Sequence, residues 1–447
     1  MAKSAFLEWD KPEADDRIVQ EIEAFLSRNV PLNNPRDGQP QILGFPVGEP
    51  DPFGIEMQYL ALKRNPNNIG LHTTDNEAEE GFQGSQEAER IFIGMMADVL
   101  GGDLQTIDGY IEAGGSTANM AGLLIGRNRT HLYDEKEKPL KNAKNKTAVL
   151  CSHITHYSIL QNASNLGIGE VATIGKGDGT GVHLLGTDED GHILLNQLEM
   201  QLRDLIKNHE DISNIILVGN AGTTMLGSVD NIPGMSDIIG QFKQRFPEKI
   251  FHFHIDAAHG GLIAPFLPEL PAIGFANQHV DSITIDPHKM GKIGFGCGVI
   301  LARKGYFDWL ASECPYVPGG SRTISGSRSG AVAISAYAAF RRRGKEGVAS
   351  YAQSLKDMTN EVRGKIAALG IEMFGSDLNI IAAKTLLPAD IRKQFIVHGD
   401  DRMPVDMSNP NDKERRSIWN IVVMEHVQKG ISRFEEVYKE WLAANQS

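Results

Sequence analysis

From about residue 106 to residue 300, short apolar runs alternate with stretches whose apolar residues recur at helical spacing. Examples of the runs are Thr147-Ala-Val-Leu-Cys151, Asn214-Ile-Ile-Leu-Val-Gly219, Ile250-Phe-His-Phe-His-Ile255 and Ser282-Ile-Thr-Ile285. They read as strands, and their alternation with helical segments predicts an α/β fold, a mostly parallel sheet covered by helices on both faces. Ahead of this region, residues 11–30 place Ile18, Ile22, Phe25 and Leu26 at helical spacing among charges. Residues 31–75 are rich in Pro, Gly and Asn and read as an extended arm. Residues 86–101 predict a helix that stops at Gly101-Gly102. After about residue 305 the pattern is helical, then mixed, ending in Ile418-Trp-Asn-Ile-Val-Val-Met424 and a last helix. The expected division is an N-terminal helix and arm over 1–75, a large domain over 76–345 and a small C-terminal α+β domain over 346–447. No internal repeat or low-complexity tract interrupts it.

Composition narrows the functional classes. The 447 residues are 41% hydrophobic, ample for a large core, and the net charge of −13 argues against a nucleic-acid partner. The opening Met1-Ala-Lys-Ser-Ala-Phe-Leu-Glu-Trp-Asp10 is too acidic and too weakly apolar for a signal peptide. No run approaches the length of a membrane span. Cys151, Cys297 and Cys314 have neither metal-ligand spacing nor disulfide logic. A reduced, cytoplasmic setting without membrane contact is expected.

The chemistry is concentrated at two places. Lys289, in Ser282-Ile-Thr-Ile-Asp-Pro-His-Lys-Met-Gly291, ends an apolar strand and precedes a glycine-rich turn. A lysine there is poorly placed as a solvated surface charge and well placed to form a Schiff base with a carbonyl cofactor. Asp256, in His254-Ile-Asp-Ala-Ala-His-Gly-Gly261, ends another apolar strand, where a carboxylate can keep a pyridine nitrogen protonated through a charge-assisted hydrogen bond. Together the two residues point to pyridoxal phosphate. Gly114-Gly-Ser-Thr-Ala-Asn119 precedes an apolar helical run, and its small residues let a phosphate approach backbone N–H groups at a helix N-terminus. Two other patterns carry less. His252, His254 and Asp256 share one strand face and could begin a metal site with His259, yet that reading leaves Lys289 and the glycine turn without a role, so no metal is expected. Gly175-Lys-Gly-Asp-Gly-Thr-Gly181 lacks the strand-then-helix context of a dinucleotide site and reads as a flexible hairpin.

These motifs, with Thr323-Ile-Ser-Gly-Ser-Arg-Ser-Gly330, resemble the pyridoxal-phosphate-dependent group II amino-acid decarboxylases, most closely the archaeal-type tyrosine/aspartate decarboxylase branch. The resemblance runs from about residue 80 to about 345. It implies fold type I, decarboxylation of an L-amino acid to its amine, and a homodimer with sites at the subunit interface. By the same resemblance, Gly115, Ser116 and Thr117 cradle the cofactor phosphate, and His156, preferred over His153, stacks on the ring. Thr223, in Asn220-Ala-Gly-Thr-Thr-Met225, lies beside the cofactor or the substrate carboxylate. Ala258 is small enough to lie against the ring face, and His288 contacts the phosphate or the substrate. Tyr316, in Glu313-Cys-Pro-Tyr-Val-Pro-Gly-Gly-Ser321, returns a proton to Cα, and Gly326 and Ser327 reach the phosphate across the dimer interface. Lys292 is the nearest rival to Lys289. The runner-up reaction is carbon–carbon cleavage of the sphingosine-phosphate lyase type.

One position departs from the pattern. Many family members carry an arginine for the substrate carboxylate just before Ile-Val-Val-Met, and here Asn420 stands in its place. Arg415 and Arg416 are the nearest replacements. Pocket residues are expected from Asn67-Asn-Ile-Gly-Leu-His-Thr-Thr74 and from the partner subunit.

Overall fold

The structure is a computed structural model that describes residues 15–29, 40–71, 81–142, 144–172, 177–315, 317 and 320–445. The helices are α1 Asp15–Leu26, α2 Pro52–Leu62, α3 Gln83–Val99, α4 Gly115–Asn128, α5 Tyr157–Asn165, α6 Leu195–Asn208, α7 Ile232–Arg245, the short α8 Pro287–Met290, α9 Gly330–Ala368, α10 Ala389–Gln394 and α11 Glu425–Asn445. The strands begin with β1 Gln41–Ile42, then β2 Ile107–Glu112, β3 Thr147–Ser152, β4 Gly181–Leu185, β5 Asn214–Asn220, β6 Ile250–Asp256, β7 Ser282–Ile285 and β8 Gly298–Arg303. They close with β9 Ile380–Ala383, β10 Phe395–Ile396, β11 His398–Pro404 and β12 Arg415–Val422.

Among the described residues, seven strands form the main sheet in the order β2-β8-β7-β6-β5-β3-β4. Strand β8 runs antiparallel to both its neighbours, and the remaining strands run the same way. The period-two alternation of side chains sorts the core into two layers. Leu150, Leu217, Phe251, Phe253, Ile283 and Leu301 face one side with Met235, Ile239 and Phe242 of α7. Val149, Cys151, Ile216 and Val218 face the other, against Leu123 of α4 and Ile159 of α5. The expected parallel sheet, with its strands at 147–151, 214–219, 250–255 and 282–285, is therefore present to within a residue at each end. A smaller antiparallel sheet, β11-β12-β9, forms the C-terminal layer, and β1 pairs with β10 to tie the segment near residue 41 onto it.

One reading of the sequence needs correction. The Pro- and Gly-rich region 31–75 is not an extended arm throughout, because α2 occupies Pro52–Leu62. The signal is a cap: Asp51 accepts a hydrogen bond from the Gly54 amide at 2.9 Å and Pro52 sits at the first helical position. Gly54 then lets α2 close on α9, where an added Cβ would lie 3.2 Å from that of Ala339. The hairpin expected at 175–181 lies partly outside the described residues, and from Gly181 the chain is strand β4, parallel to β3. Helix α3 starts three residues before the expected 86 and ends just ahead of Gly101, whose φ of 72° is left-handed.

A charged contact between the two sheets carries a pH dependence. The His192 ring donates to Asp377 Oδ2 at 2.8 Å and to Asp188 Oδ2 at 2.9 Å, and these bonds push its pKa up to about 9. Asp377 also accepts from the Val229 amide at 2.7 Å, so the charged imidazole fastens the segment before β9 to the loops around β5. A histidine raised above its unfolded value contributes stability that is full below about pH 6.5 and lost as pH climbs through about 9. The ring is 31% exposed, so after solvent screening the contribution is on the order of 1–2 kcal/mol. Denaturant midpoints are expected to fall between pH 6.5 and 9, and His192→Gln to flatten that fall. An unchanged slope in the variant would remove His192 as its source.

Candidate active site

The carboxyl ends of β2, β3, β5, β6 and β7 lie along one edge of the main sheet, where ligands bind in open α/β sheets. The sequence places its candidate residues there. Asp256 is the last residue of β6 and pairs in register with Thr284 of β7. Lys289 follows β7 on α8, held by the backbone bond from Lys289 N to Asp286 O at 2.9 Å. Lys289 Nζ lies 3.0 Å from Asp286 Oδ2, and the lysine side chain is 23% exposed while that of Asp286 is 4% exposed. His288 Nε2 is 3.6 Å from the same oxygen. Asp286 Oδ1 and His288 Nδ1 are buried and have no hydrogen-bond partner among the described residues. Lys292, the rival lysine, has φ of 56° and is paired with Glu425, away from this cluster.

The glycine turn after β2 closes on the same point. A Cβ on Gly115 would stand 2.7 Å from Asp286 Oδ2 and 3.1 Å from Ala258 Cβ, and one on Gly114 would stand 3.4 Å from His288. Thr117 N and Ala118 N both bond to Gly114 O, so the amides of Gly115 and Ser116 precede the first intrahelical bonds. Ser116 is exposed at the helix start and its carbonyl accepts from Asn162 Nδ2 at 2.8 Å, which ties α4 to α5. His156 caps α5 by accepting from the Ser158 amide. Burial pushes its pKa down, Asp256 and Asp286 oppose that shift, and Lys289 adds to it, so these four groups share one electrostatic neighbourhood.

Other candidates sit further out. Thr223 is buried with its hydroxyl 2.7 Å from Ser228 Oγ. Asn420 is fully buried and its amide donates to Thr224 O at 2.8 Å and Met225 O at 3.1 Å, leaving Oδ1 unpartnered. It therefore braces the loop that carries Thr223. Of the neighbouring arginines, Arg416 pairs with Glu189 at 2.9 Å and lies over the Phe374 ring, and Arg415 is exposed on β12. Gly326 and Ser327 lie on the segment that leads into α9. Ser327 Oγ accepts from Asn67 Nδ2 at 3.1 Å, beside a cleft lined also by Pro66, Arg328 and Ser329. Tyr316 lies outside the described residues, as do residues 72–74 of the expected pocket. The histidines weighed as metal ligands are committed to hydrogen bonds. His252 and His254 both meet Ser282 Oγ, and His259 meets Asn379 Oδ1 at 2.8 Å.

Sequence reasoning missed Asp286, Asn119 and Ser158. Asp286 was part of the quoted lysine motif, three residues ahead of Lys289 and one helical turn away, which is a pairing distance. Asn119 donates to Asp256 Oδ2 at 2.9 Å across 137 residues of sequence, and no local pattern announces that contact.

An amine and a carboxylate thus stand at the ends of two adjacent parallel strands, over a glycine-opened helix start. Residues 84–375 match the model of the pyridoxal-dependent decarboxylase conserved domain, and the chain belongs to that family. It is 29% identical over 374 residues to a tryptophan decarboxylase of Clostridium sporogenes, a match that covers 82% of this chain and 81% of the relative. It is 31% identical over 308 residues to a probable L-tyrosine/L-aspartate decarboxylase of Methanothermobacter thermautotrophicus, covering 67% of this chain and 74% of the relative. The fold superposes on the crystal structure of L-methionine decarboxylase from Streptomyces sp. 590 with a TM-score of 0.75 at 16% identity, over 97% of this chain and 95% of that one. The chain is thus a pyridoxal-phosphate-dependent amino-acid decarboxylase.

The residues present fit that cofactor. The turn at Gly114-Gly115 is a cradle that a single Cβ would fill, and Asp286 and His288 turn unpartnered polar atoms towards the protein interior beside it. Gly115→Ala is accordingly expected to weaken cofactor binding at least about tenfold. The crowding against Asp286 and Ala258 should also cost about 1–3 kcal/mol of stability. Titration of the apoprotein with pyridoxal phosphate and a denaturation curve check the two effects. Binding within twofold of the parent would mean that the turn does not approach the phosphate.

Proposed function

We propose that this chain removes the carboxylate of an L-amino acid of the tyrosine, aspartate or glutamate type, with Lys289 and Asp256 holding the two ends of the cofactor. The observation that supports this most is the placement of Lys289 and Asp256 at the carboxyl ends of β7 and β6, with His156 in the same charge neighbourhood. Pyridoxal phosphate, when bound, supplies an aldehyde that captures amines and a ring that withdraws electrons from the bonds at the captured carbon.

The side chains of the protein do the rest. Lys289 Nζ is the amine that anchors the aldehyde, and Asp286 Oδ2 at 3.0 Å orients that amine. Asp256 holds a proton at the ring nitrogen through a charge-assisted hydrogen bond. Gly115, Ser116 and Thr117 present backbone amides and hydroxyls to the phosphate at the start of α4, with His288 beside them. Ala258 leaves room for the ring face, and His156 covers the opposite face. Thr223 steadies the substrate side of the site, on the loop that Asn420 braces. Tyr316 returns a proton to the substrate Cα after carbon dioxide departs. Gly326 and Ser327 complete the phosphate site of the partner subunit.

A homodimer is part of this reading. Val19, Phe25 and Leu26 of α1 and Tyr59 and Leu62 of α2 are more than half exposed in one chain, apolar faces that a partner would cover. The large and small domains divide near 345/346, where α9 carries its one non-helical residue, Gly344. Cys151, Cys297 and Cys314 are all free, in keeping with a cytoplasmic setting. No helix among the described residues is long and apolar enough to cross a membrane. The carbon–carbon lyase alternative has less support, because the relatives named above are decarboxylases.

The test is a carbon dioxide release assay on pyridoxal-phosphate-loaded protein with the twenty L-amino acids, amine products being identified by mass spectrometry. Release from one or two tyrosine-, aspartate- or glutamate-type acids is expected. Release confined to an unrelated amino acid would overturn the substrate class. Silence across the panel from protein with bound cofactor would return the lyase reading to first place.

A further inference from the structure

Beneath the site, a buried hydrogen-bond chain runs between helix α4 and strand β6. Asn119 Nδ2 lies 2.9 Å from Asp256 Oδ2 and 3.2 Å from Ser158 Oγ, and Asn119 Oδ1 lies 3.0 Å from His254 Nε2. His254 Nδ1 lies 2.8 Å from Ser282 Oγ, which is 2.9 Å from His252 Nε2. His252 Nδ1 faces Arg129 Nη1 at 3.4 Å. Asn119, His254, Ser282 and His252 are each no more than 1% exposed.

The proton positions follow from one end of the chain. A carboxylate only accepts, so the amide nitrogen of Asn119 must face Asp256, and Asn119 Oδ1 must accept from His254 Nε2–H. Burial holds the His254 pKa down near 4, so the ring is neutral and its Nδ1 carries a lone pair. Ser282 therefore donates to His254 and accepts from His252 Nε2–H, which leaves His252 Nδ1 as an acceptor towards Arg129. Every donor in the series points at Asp256. A branch reaches the second site residue. The other amide hydrogen of Asn119 goes to Ser158 Oγ. The Ser158 hydroxyl lies 2.8 Å from His156 Nδ1, and the Ser158 amide donates to the same nitrogen at 3.3 Å. His156 Nδ1 is thus an acceptor, and the ring proton sits on Nε2.

The sequence makes room for this chain. His252, His254 and Asp256 alternate on one face of β6, and Asn119, Gly122 and Gly126 lie on successive turns of α4. A Cβ on Gly122 would stand 2.4 Å from His254 Nδ1, and one on Gly126 would stand 3.0 Å from His252 Cδ2. Only a helix stripped of side chains there can lie over two imidazoles. At the far end Asp281 accepts from Lys243 at 3.2 Å and from the Phe253 amide at 2.7 Å, and it sits 3.8 Å from Arg129, which keeps that end electrostatically balanced.

We infer that Asn119 is a positioning residue that orients the carboxylate of Asp256 and turns the Ser158 hydroxyl towards His156, and that the one-way chain from Arg129 through His252, Ser282 and His254 locks Asn119 in that orientation. This rests on Asp256 holding the ring nitrogen. Each donor dipole of the chain ends on the carboxylate of Asp256. The two histidines that resemble metal ligands in sequence are links in this chain.

The test uses holoenzyme with Asn119→Ala, Ser282→Ala and Asp256→Asn, together with nitrogen NMR of the histidine rings in apoprotein. Asn119→Ala is expected to lower kcat on the order of 10–100-fold with KM changed less than about threefold. It should also move the pH at which the visible absorbance of bound cofactor titrates by about one unit. Ser282→Ala removes a single hydroxyl and is expected to shift both readouts in the same direction by a smaller amount. His156 and His254 are expected in the Nε2–H form in the parent; Asn119→Ala removes the acceptor of His254 Nε2–H and is expected to release His254 from that form, while the Ser158 amide keeps His156 in it. If Asp256→Asn moves the absorbance titration while Asn119→Ala and Ser282→Ala do not, the chain is structural only and the inference fails. If Asp256→Asn itself moves nothing, the ring-nitrogen assignment fails instead. An Nδ1–H His254 in the parent would overturn the direction of the chain whatever the kinetics.

Discussion

Replacing Lys289 with alanine is expected to abolish amino-acid-dependent carbon dioxide release, a loss of at least about 10³-fold, while the protein remains folded. The size follows from the role. An anchoring amine does not merely strengthen binding; it places the aldehyde where an incoming substrate amine can displace it. Lys292 is held by Glu425 and points elsewhere. Folding should survive because Lys289 lies on a four-residue helix and is partly exposed, with only one strong partner. Its loss leaves buried Asp286 without the ammonium beside it, which is expected to cost about 1–3 kcal/mol. Borohydride reduction followed by peptide mass mapping gives a readout independent of turnover. The parent should carry the cofactor mass on the peptide containing Lys289, and the variant on none. Turnover within tenfold of the parent, or cofactor mass on another lysine, would remove Lys289 from its role.

The outline of this site was legible in sequence because strand ends are legible. An apolar run that stops at Asp256, and another that stops just before Asp286-Pro-His-Lys289, place chemistry at a sheet edge once the run is read as a strand. Glycines that admit a phosphate are equally visible, since small residues before a helical pattern have few other uses. What the sequence hid are contacts with no local period. Asn119 looks like an ordinary polar residue in the first turn and a half of α4, and its function depends on a strand 137 residues away. Asn420 was visible as a departure, but its brace on Thr224 and Met225 appears only when β12 is laid beside the β5–α7 loop. Helix α2 was missed for a different reason: proline and glycine content was weighed above the Asp51-Pro52 cap that starts it. The exposed apolar face of α1 was predicted by spacing and that of α2 was not; both are surfaces that the proposed dimer would cover.

Asp256→Asn is expected to lower kcat by on the order of 10²–10³-fold with little change in KM, because the variant keeps the shape of the site and removes only charge. A carboxylate beside a ring nitrogen favours the protonated ring, and an amide does not. The loss therefore falls on the step in which electrons move towards the ring rather than on binding of the amino acid. Structure argues that the fold tolerates the change. Asp256 lies at the end of β6 with Oδ1 accepting from the Ala258 amide at 3.1 Å and Oδ2 from Asn119 at 2.9 Å. An asparagine oxygen can still accept one of these bonds, while its amide nitrogen faces a donor, so a stability cost of about 1–2 kcal/mol is expected. Steady-state kinetics with the substrate identified in the carbon dioxide assay, alongside a pH titration of the visible absorbance, separate the outcomes. A kcat within threefold of the parent would mean that the ring nitrogen is served by another group. A rise in KM with kcat unchanged would place Asp256 in substrate binding instead. The expected result, a fall in kcat with a displaced absorbance titration, ties the carboxylate at the end of β6 to the electron-withdrawing ring.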